Sequence, residues 1–227
     1  SNNRIPEAAG PLQTMAALFR RMDDGKGPFS AWAAVMEGNQ LENTRRYPEA
    51  RARYTEACAL FRTLQPPRLF EIGWNLSNIG DTWTGEDNHR EALAAHRQAL
   101  AIFRDLFPPA GRQIGKSLLA IATAEYNLGN HPAALSNALA ARPILSLYQQ
   151  AYRVDLANCE DFLGKAARKC RQFPTAVTAL SNAAAHWRIL APGGSWNEGE
   201  SITQLGGTLP EMEDNQSAYL HLLRALE

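Results

Sequence analysis

The chain has 227 residues, of which 45% are hydrophobic and 20% are charged, and its formal net charge is zero. These values are typical of a folded globular protein and exclude a disordered chain, and the balanced charge argues against nucleic-acid binding, which needs a basic field. No apolar run approaches the roughly 20 residues that span a bilayer, and the first residues do not form a signal peptide. We therefore expect a cytoplasmic protein that does not bind a membrane.

Helical periodicity begins near the N-terminus. Residues 5–22 carry apolar side chains at helical spacing and predict one helix, which is either half of a helix pair cut from a longer array or an N-terminal cap. Glycine and proline then interrupt the chain, and no strand-like alternation follows. We predict antiparallel helix pairs at residues 29–64, 69–106, 112–148, 151–190 and 197–227.

Proline marks the limits of these helices. Proline-containing segments separate several of the pairs, because proline cannot continue a helix. Within pairs, Pro48, Pro132 and Pro174 stand near the start of the second helix, where a missing N–H has no cost. The first helices are predicted at 29–43, 69–84, 112–128, 151–170 and 197–208, and the second at 47–64, 88–106, 131–148, 173–190 and 214–226.

A 42-residue internal repeat fixes the phase of the helices. The second helices share a stripe spaced four, three and four residues, seen in Ala50, Tyr54, Ala57, Phe61; Ala92, His96, Ala99, Phe103; Ala134, Ala138, Ala141, Leu145; and Ala176, Leu180, Ala183, Trp187. The first helices carry small residues in one column, namely Gly38, Gly80, Ala122, Gly164 and Gly206. A mid-helix glycine costs about 1 kcal/mol relative to alanine, so we expect two helix backbones to approach closely at this column, opposite the alanines of the second helices.

This pattern resembles the tetratricopeptide repeat (TPR) family. The resemblance rests on the small residues of the first helices, on the alanine stripe of the second helices, and on the turn at residues 128–135. The period of 42 residues departs from the usual 34 and is like the longer variant of kinesin light chains. The resemblance implies an all-α solenoid, a right-handed superhelix of antiparallel helix pairs that forms a single array over residues 1–227.

The resemblance also implies a binding groove along the first helices. In the family, groove asparagines often hold a peptide backbone, and lysines and arginines hold a carboxylate. We therefore expect a non-catalytic scaffold that binds another protein or a peptide and needs no cofactor. Carried onto this sequence, the groove residues are Trp32, Asn39, Trp74, Asp81, Lys116, Thr123, Tyr126, Asn127, Asn158, Lys165, Arg168 and Lys169.

Two features of this set have more than one interpretation. The basic residues Lys165, Arg168 and Lys169 could attract an acidic peptide segment, could be an ordinary solvated helix end, or could bind the acidic last helix pair of the same chain. Trp32 and Trp74 stand in equivalent places of consecutive pairs and either bind an apolar side chain of the partner or pack between helices.

Catalysis and metal binding are not expected. The sequence has no HExxH, nucleophile or phosphate-loop motif, and His89, His96 and His131 stand in columns that aromatic residues fill in other pairs. Cys159 and Cys170 share one predicted helix and lie about 16 Å apart, which is too far for a disulfide. We expect the cysteines to be reduced thiols.

A different function is also consistent with the sequence. The half pair at residues 5–22 is typical of a regulatory sensor segment within a larger, bacterial-type signalling protein. Unpaired helices at the two ends of the array could also join two copies of the chain into a homodimer.

Overall fold

The computed structural model describes residues 5–208, with side chains from residue 10 onward. All regular elements in this range are α-helices. The chain divides into two compact units, Ser1–Pro108 and Pro109–Glu227. The prediction of an all-α fold built from helix pairs is confirmed, whereas the single array and its right-handed superhelix remain predictions.

The first unit contains five helices. They are α1 (Ile5–Met22), α2 (Pro28–Asn43), α3 (Tyr47–Thr63), α4 (Leu69–Gly85) and α5 (His89–Leu106). Each helix packs against the next one in the chain, so α2 pairs with α3 and α4 pairs with α5. The predicted bounds are met to within one residue at each helix end.

The second unit repeats this arrangement. Its helices are α6 (Arg112–Asn127), α7 (His131–Ser146), α8 (Gln149–Lys169), α9 (Phe173–Leu190) and α10 (Trp196–Thr208). In addition to the sequential packing, α8 contacts both α6 and α10. The first helices of successive pairs are therefore neighbours. The predicted helix at 214–226 lies outside the described residues.

The turn inside each pair has the same backbone geometry in four repeats. Arg45, Asp87, Gly129 and Arg171 stand 42 residues apart, and all four have positive φ, between 58° and 84°. In each case the next residue donates its N–H to a carbonyl five residues earlier, over 2.8 to 2.9 Å, which closes the C-terminal turn of the first helix. Glycine adopts this conformation without steric cost, yet it occupies only one of the four positions.

The small-residue column of the first helices receives a side chain of the paired second helix. A Cβ atom on Gly38 would lie 2.5 Å from the Tyr54 ring, and one on Gly80 would lie 2.4 Å from the His96 ring. The expectation of a close approach opposite the alanines is corrected in one respect, because the closest contact involves the residue four positions beyond each alanine. At Gly164 the expected backbone approach is also present, since an added Cβ would lie 3.3 Å from the Ala176 carbonyl oxygen.

The third pair supports this correction. Here Ala122 occupies the glycine column, and the residue at the position of the rings is the small Ala138, in the same hydrophobic cluster. In this pair the first helix can carry the Cβ atom of Ala122 because the facing side chain, Ala138, is small.

Candidate functional site

A cleft of about 290 Å³ lies in the second unit, on the face formed by its first helices. Leu119 and Thr123 of α6, together with Asn158 and Phe162 of α8, line one part of it. The remaining lining residues are Asp161 and Lys165 of α8 and Trp196, Asn197 and Glu200 of α10. The cleft combines apolar surface, two carboxamides, one cation, two carboxylates and an indole.

Three of the predicted groove residues meet in this cleft. They are Thr123, Asn158 and Lys165, which the 42-residue repeat places on one face of successive first helices. Thr123 donates its hydroxyl to the Leu119 carbonyl over 3.0 Å, while Asn158 is exposed. The cleft therefore brings together three of the predicted groove residues, whose role in binding stays a prediction.

Asp161 connects the cleft to the core of the second unit. Its carboxylate accepts hydrogen bonds from Trp187 Nε1, over 2.6 Å, and from the Ser201 hydroxyl. Burial raises the pKa of Asp161, and these hydrogen bonds together with nearby Lys165 oppose that effect. The carboxylate thus fixes the Trp187 ring of α9 and joins α8 to α10.

The basic residues of α8 contact α10. Lys165 Nζ lies 3.6 Å from Glu200 Oε1, and Arg168 donates to Gln204 Oε1 over 3.4 Å. Arg188 of α9 pairs with Glu198 at 2.8 Å. Of the three interpretations of the basic patch, these contacts favour binding to the last helix pair of the same chain.

The predicted residues of the first unit combine exposure with packing. Trp32 is 45% exposed, and its ring meets the Phe61 ring edge to face at 5.6 Å. Trp74 is 41% exposed, and its ring lies 6.0 Å from that of Phe70. Each indole is therefore both a packing element and a surface group.

Two further predicted residues in the first unit interact with the rings of the second helices. Asn39 Oδ1 accepts a hydrogen bond from the Tyr54 hydroxyl over 2.9 Å. In the next pair, Asp81 Oδ1 lies 3.7 Å from His96 Nε2. Burial lowers the pKa of His96 to about 4, so its imidazole is neutral at pH 7.

The other predicted residues lie in different surroundings. Tyr126 packs between the His131 ring, at 5.0 Å, and the Phe162 ring, at 5.5 Å. Lys116 and Asn127 are exposed on α6. Lys169 lines a separate groove beside α7, which places it away from the cleft residues with which the sequence grouped it.

The sequence prediction missed several residues of the cleft. Glu200 continues the 42-residue column of Asn158, so extension of that column by one repeat would have found it. Trp196, which is 80% exposed, and Asn197 begin α10, outside the columns used for the prediction. The sequence signal that could have identified Trp196 is its place shortly after a proline–glycine segment, at the start of a helix.

Comparison with known proteins gives fold relatives only. No protein-family model and no curated protein matches the chain. Among solved structures, BtubC (BKLC) from P. vanneervenii is similar with a TM-score of 0.79 and 14% identity, over 99% of this chain and 90% of that one. The nearly identical TPR-like repeats described as a kinesin light chain of Podospora anserina give a TM-score of 0.67 and 15% identity, over 85% and 91% of the two chains.

The fold is that of the tetratricopeptide repeat proteins. A Rap protein complexed with competence and sporulation factor also matches, with a TM-score of 0.62 and 13% identity, over 94% of this chain and 59% of that one. These identities are low, so the likeness extends to the TPR-like fold and not to a ligand.

Two further properties of the described residues bear on the function of this TPR-like chain. None of its helices combines the length and the apolar character needed to cross a membrane. Within the same residues, no group of three or more histidine, cysteine, aspartate or glutamate side chains is arranged to hold a metal ion. The three cysteines are free thiols, as predicted.

Proposed function

We propose that this TPR-like chain is a non-catalytic scaffold that binds an extended peptide segment of another protein in the cleft of the second unit. The observation that carries the proposal is the cleft itself, where Asn158, Asn197 and the exposed indole of Trp196 meet beside apolar surface. Proteins of similar fold include a Rap conjugation gene regulator in complex with the Phr* peptide, which supports a peptide as the ligand.

The chemistry of the cleft suits an extended backbone. A carboxamide carries both donors and an acceptor, so Asn158 of α8 and Asn197 of α10 can each pair with a peptide N–H and C=O. Leu119 and Phe162 offer apolar surface for one side chain. Tryptophan is enriched among the residues that contribute strongly to binding free energy once a partner buries them, and the exposed Trp196 indole is available for such burial.

Recognition in the cleft depends on shape and hydrogen bonding more than on a net positive charge. Lys165 is offset by Glu200, and Asp161 adds a second carboxylate. An acidic ligand would have to displace Glu200 from Lys165. We therefore do not assign the binding of an acidic segment to this cleft.

A sensor role in a larger signalling protein is the second candidate function. The likeness to a Rap protein complexed with competence and sporulation factor favours it. In that case the peptide would bind the same cleft, and its binding would change the activity of an attached domain.

Capture of partners from native lysate tests the proposal. The cleft variant Asn158→Ala/Asn197→Ala/Trp196→Ala is compared with wild type and with Gln98→Ala/Gln150→Ala, which removes two exposed carboxamides that do not line the cleft. We expect a protein that wild type and the control retain and the cleft variant loses. Equal capture by all three would disprove the assignment to the cleft, and wild type capturing nothing would favour the sensor role.

A further inference from the structure

A second groove, of about 540 Å³, lies on a different part of the second unit. The N-terminal half of α7 forms one wall through Pro132, Leu135 and Leu139, and the turn between α8 and α9 forms the other. His131, Ser136, Lys169, Cys170 and Gln172 complete the lining. The groove shares no lining residue with the cleft described above, and its volume lies within the range of ligand pockets.

The equivalent place in the first unit, 84 residues earlier, is filled by the chain itself. There the Arg51 guanidinium lies 3.5 Å from the centre of the Trp83 ring and pairs with Glu86. The Arg51 side chain is only 14% exposed. One long side chain stacked on an indole thus occupies the space between the second helix of one pair and the turn inside the next pair.

The second unit replaces all three of these residues with shorter ones. Leu135 stands at the position of Arg51, Ala167 at that of Trp83, and Cys170 at that of Glu86. Leu135 and Ala167 are buried, and Leu139 on the groove wall is 43% exposed. The groove is open because the side chains that fill its counterpart are missing here, and its volume of about 540 Å³ is large enough to admit an aromatic ring.

The described side chains that line the groove carry a net positive charge. None of the described side chains that line the groove is a carboxylate, and Lys169 is exposed at its edge. All of the lining residues fall within residues 126–154 and 162–197, and these two segments contain no aspartate or glutamate. A second cation, Arg171, follows the lining residue Cys170 in the sequence. A field of this sign favours a ligand with negative charge beside its apolar part.

We propose that this groove binds an aromatic side chain from an acidic segment of a partner protein. The ring would lie between Leu135 and Leu139 on one side and Cys170 on the other, since a free cysteine behaves as a small apolar residue. A carboxylate next to the aromatic residue would pair with Lys169. Stacking of a planar group at the equivalent site of the first unit supports a ring as the occupant.

Cys170 provides a local readout of occupancy. It is partly exposed, whereas Cys58 and Cys159 are at most 2% exposed and serve as internal references. Burial raises the pKa of Cys170, so alkylation with N-ethylmaleimide is followed at mildly alkaline pH by mass spectrometry. The probes are Ac-Glu-Phe-Glu-NH2, its lysine analogue Ac-Lys-Phe-Lys-NH2, and Ac-Glu-Gly-Glu-NH2, which lacks the ring.

We expect Ac-Glu-Phe-Glu-NH2 to slow alkylation of Cys170 about fourfold at a concentration about three times its Kd, because about a quarter of the grooves then remain empty. The other two peptides should give little protection. Lys169→Glu should abolish the protection, and Arg171→Glu, with the same charge change outside the lining, should retain most of it.

Three results would overturn the proposal. The first is that Ac-Glu-Phe-Glu-NH2 does not slow alkylation of Cys170 at any concentration up to its solubility limit. The second is that the glycine or the lysine peptide slows alkylation equally well. The third is that Lys169→Glu and Arg171→Glu reduce the protection by the same amount. The groove and the cleft have separate lining residues, so the cleft variant used above should leave Cys170 protection unchanged. Failure of one proposal therefore does not decide the other.

Discussion

The Tyr54 ring lies directly over Gly38, and a Cβ atom at residue 38 would come within 2.5 Å of Tyr54 Cε1. Tyr54 is completely buried, and its hydroxyl is fixed by hydrogen bonds to Asn39 and Glu42 over 2.9 and 2.6 Å. The ring therefore cannot move aside easily. The glycine is required by the size of the side chain on the paired helix.

Gly38→Ala should therefore destabilise the protein. Overpacking of a core by one methyl group typically costs about 1–3 kcal/mol in the free energy of unfolding, measured by urea denaturation. The control is Gly10→Ala, where no atom lies within 4 Å of the added Cβ and alanine favours the helix. If Gly38→Ala were as stable as wild type, the steric account of this column would be wrong.

His96 should make stability depend on pH. Burial lowers its pKa from 6.5 to about 4, so the folded state disfavours protonation. The stability that neutral His96 contributes is complete above pH 6.5 and is lost as the pH falls from 6.5 through about 4. Between pH 7 and pH 4.5 the loss from this residue is about 2.5 kcal/mol, measured by urea denaturation.

His96→Tyr is the matched variant for this measurement. It installs the residue of the preceding repeat, where Tyr54 packs on Gly38 as His96 packs on Gly80. The variant should lose about 2.5 kcal/mol less than wild type over the same pH interval. Identical pH profiles for the two proteins would show that His96 does not titrate in this way.

Repeat spacing predicted the helices because one period controls both packing and helix limits. It placed α4 and α9 within one residue of their observed bounds. It could not predict the left-handed turn residues Arg45 and Asp87, because their side chains do not indicate positive φ. Periodicity also identifies the residues that share a helix face, but not the residue opposite them, so the contact of Gly38 with Tyr54 was missed.

The same limit applies to the binding surfaces. Asn158 and Lys165 were predicted for the cleft because they continue columns of the repeat, whereas Trp196 stands outside those columns. The pairing of Lys165 with Glu200 depends on how α10 packs on α8. From the sequence, binding of the basic residues to the acidic last helix pair was one of three interpretations. The second groove emerged only from comparing Leu135 and Cys170 with their counterparts in the first unit.

Loss of the Asp161 carboxylate should weaken the second unit. Asp161→Ala removes the acceptor of Trp187 Nε1, whose side chain is only 6% exposed, and of the Ser201 hydroxyl. The Ser201 hydroxyl keeps the Asn197 carbonyl as an acceptor at 2.9 Å, so the main loss comes from the unpaired Trp187 N–H and should be about 1–3 kcal/mol in the free energy of unfolding. Asp161→Asn keeps a carbonyl acceptor and should lose less, so equal losses in the two variants would contradict the hydrogen-bond account.

Trp196 should affect binding without affecting stability. Because its side chain is 80% exposed, Trp196→Ala should change the free energy of unfolding by no more than about 0.5 kcal/mol. The matched variant Trp187→Ala removes an indole that is 6% exposed and should cost about 3–5 kcal/mol. Urea denaturation measures both values.

The binding result for Trp196→Ala follows from its place at the rim of the cleft. A tryptophan that a bound partner buries typically contributes about 2 kcal/mol or more, so the affinity for a peptide that covers the Trp196 indole should fall at least about 30-fold. Isothermal titration with that peptide measures the change. A variant that keeps both full stability and full affinity would show that the exposed indole takes no part in recognition.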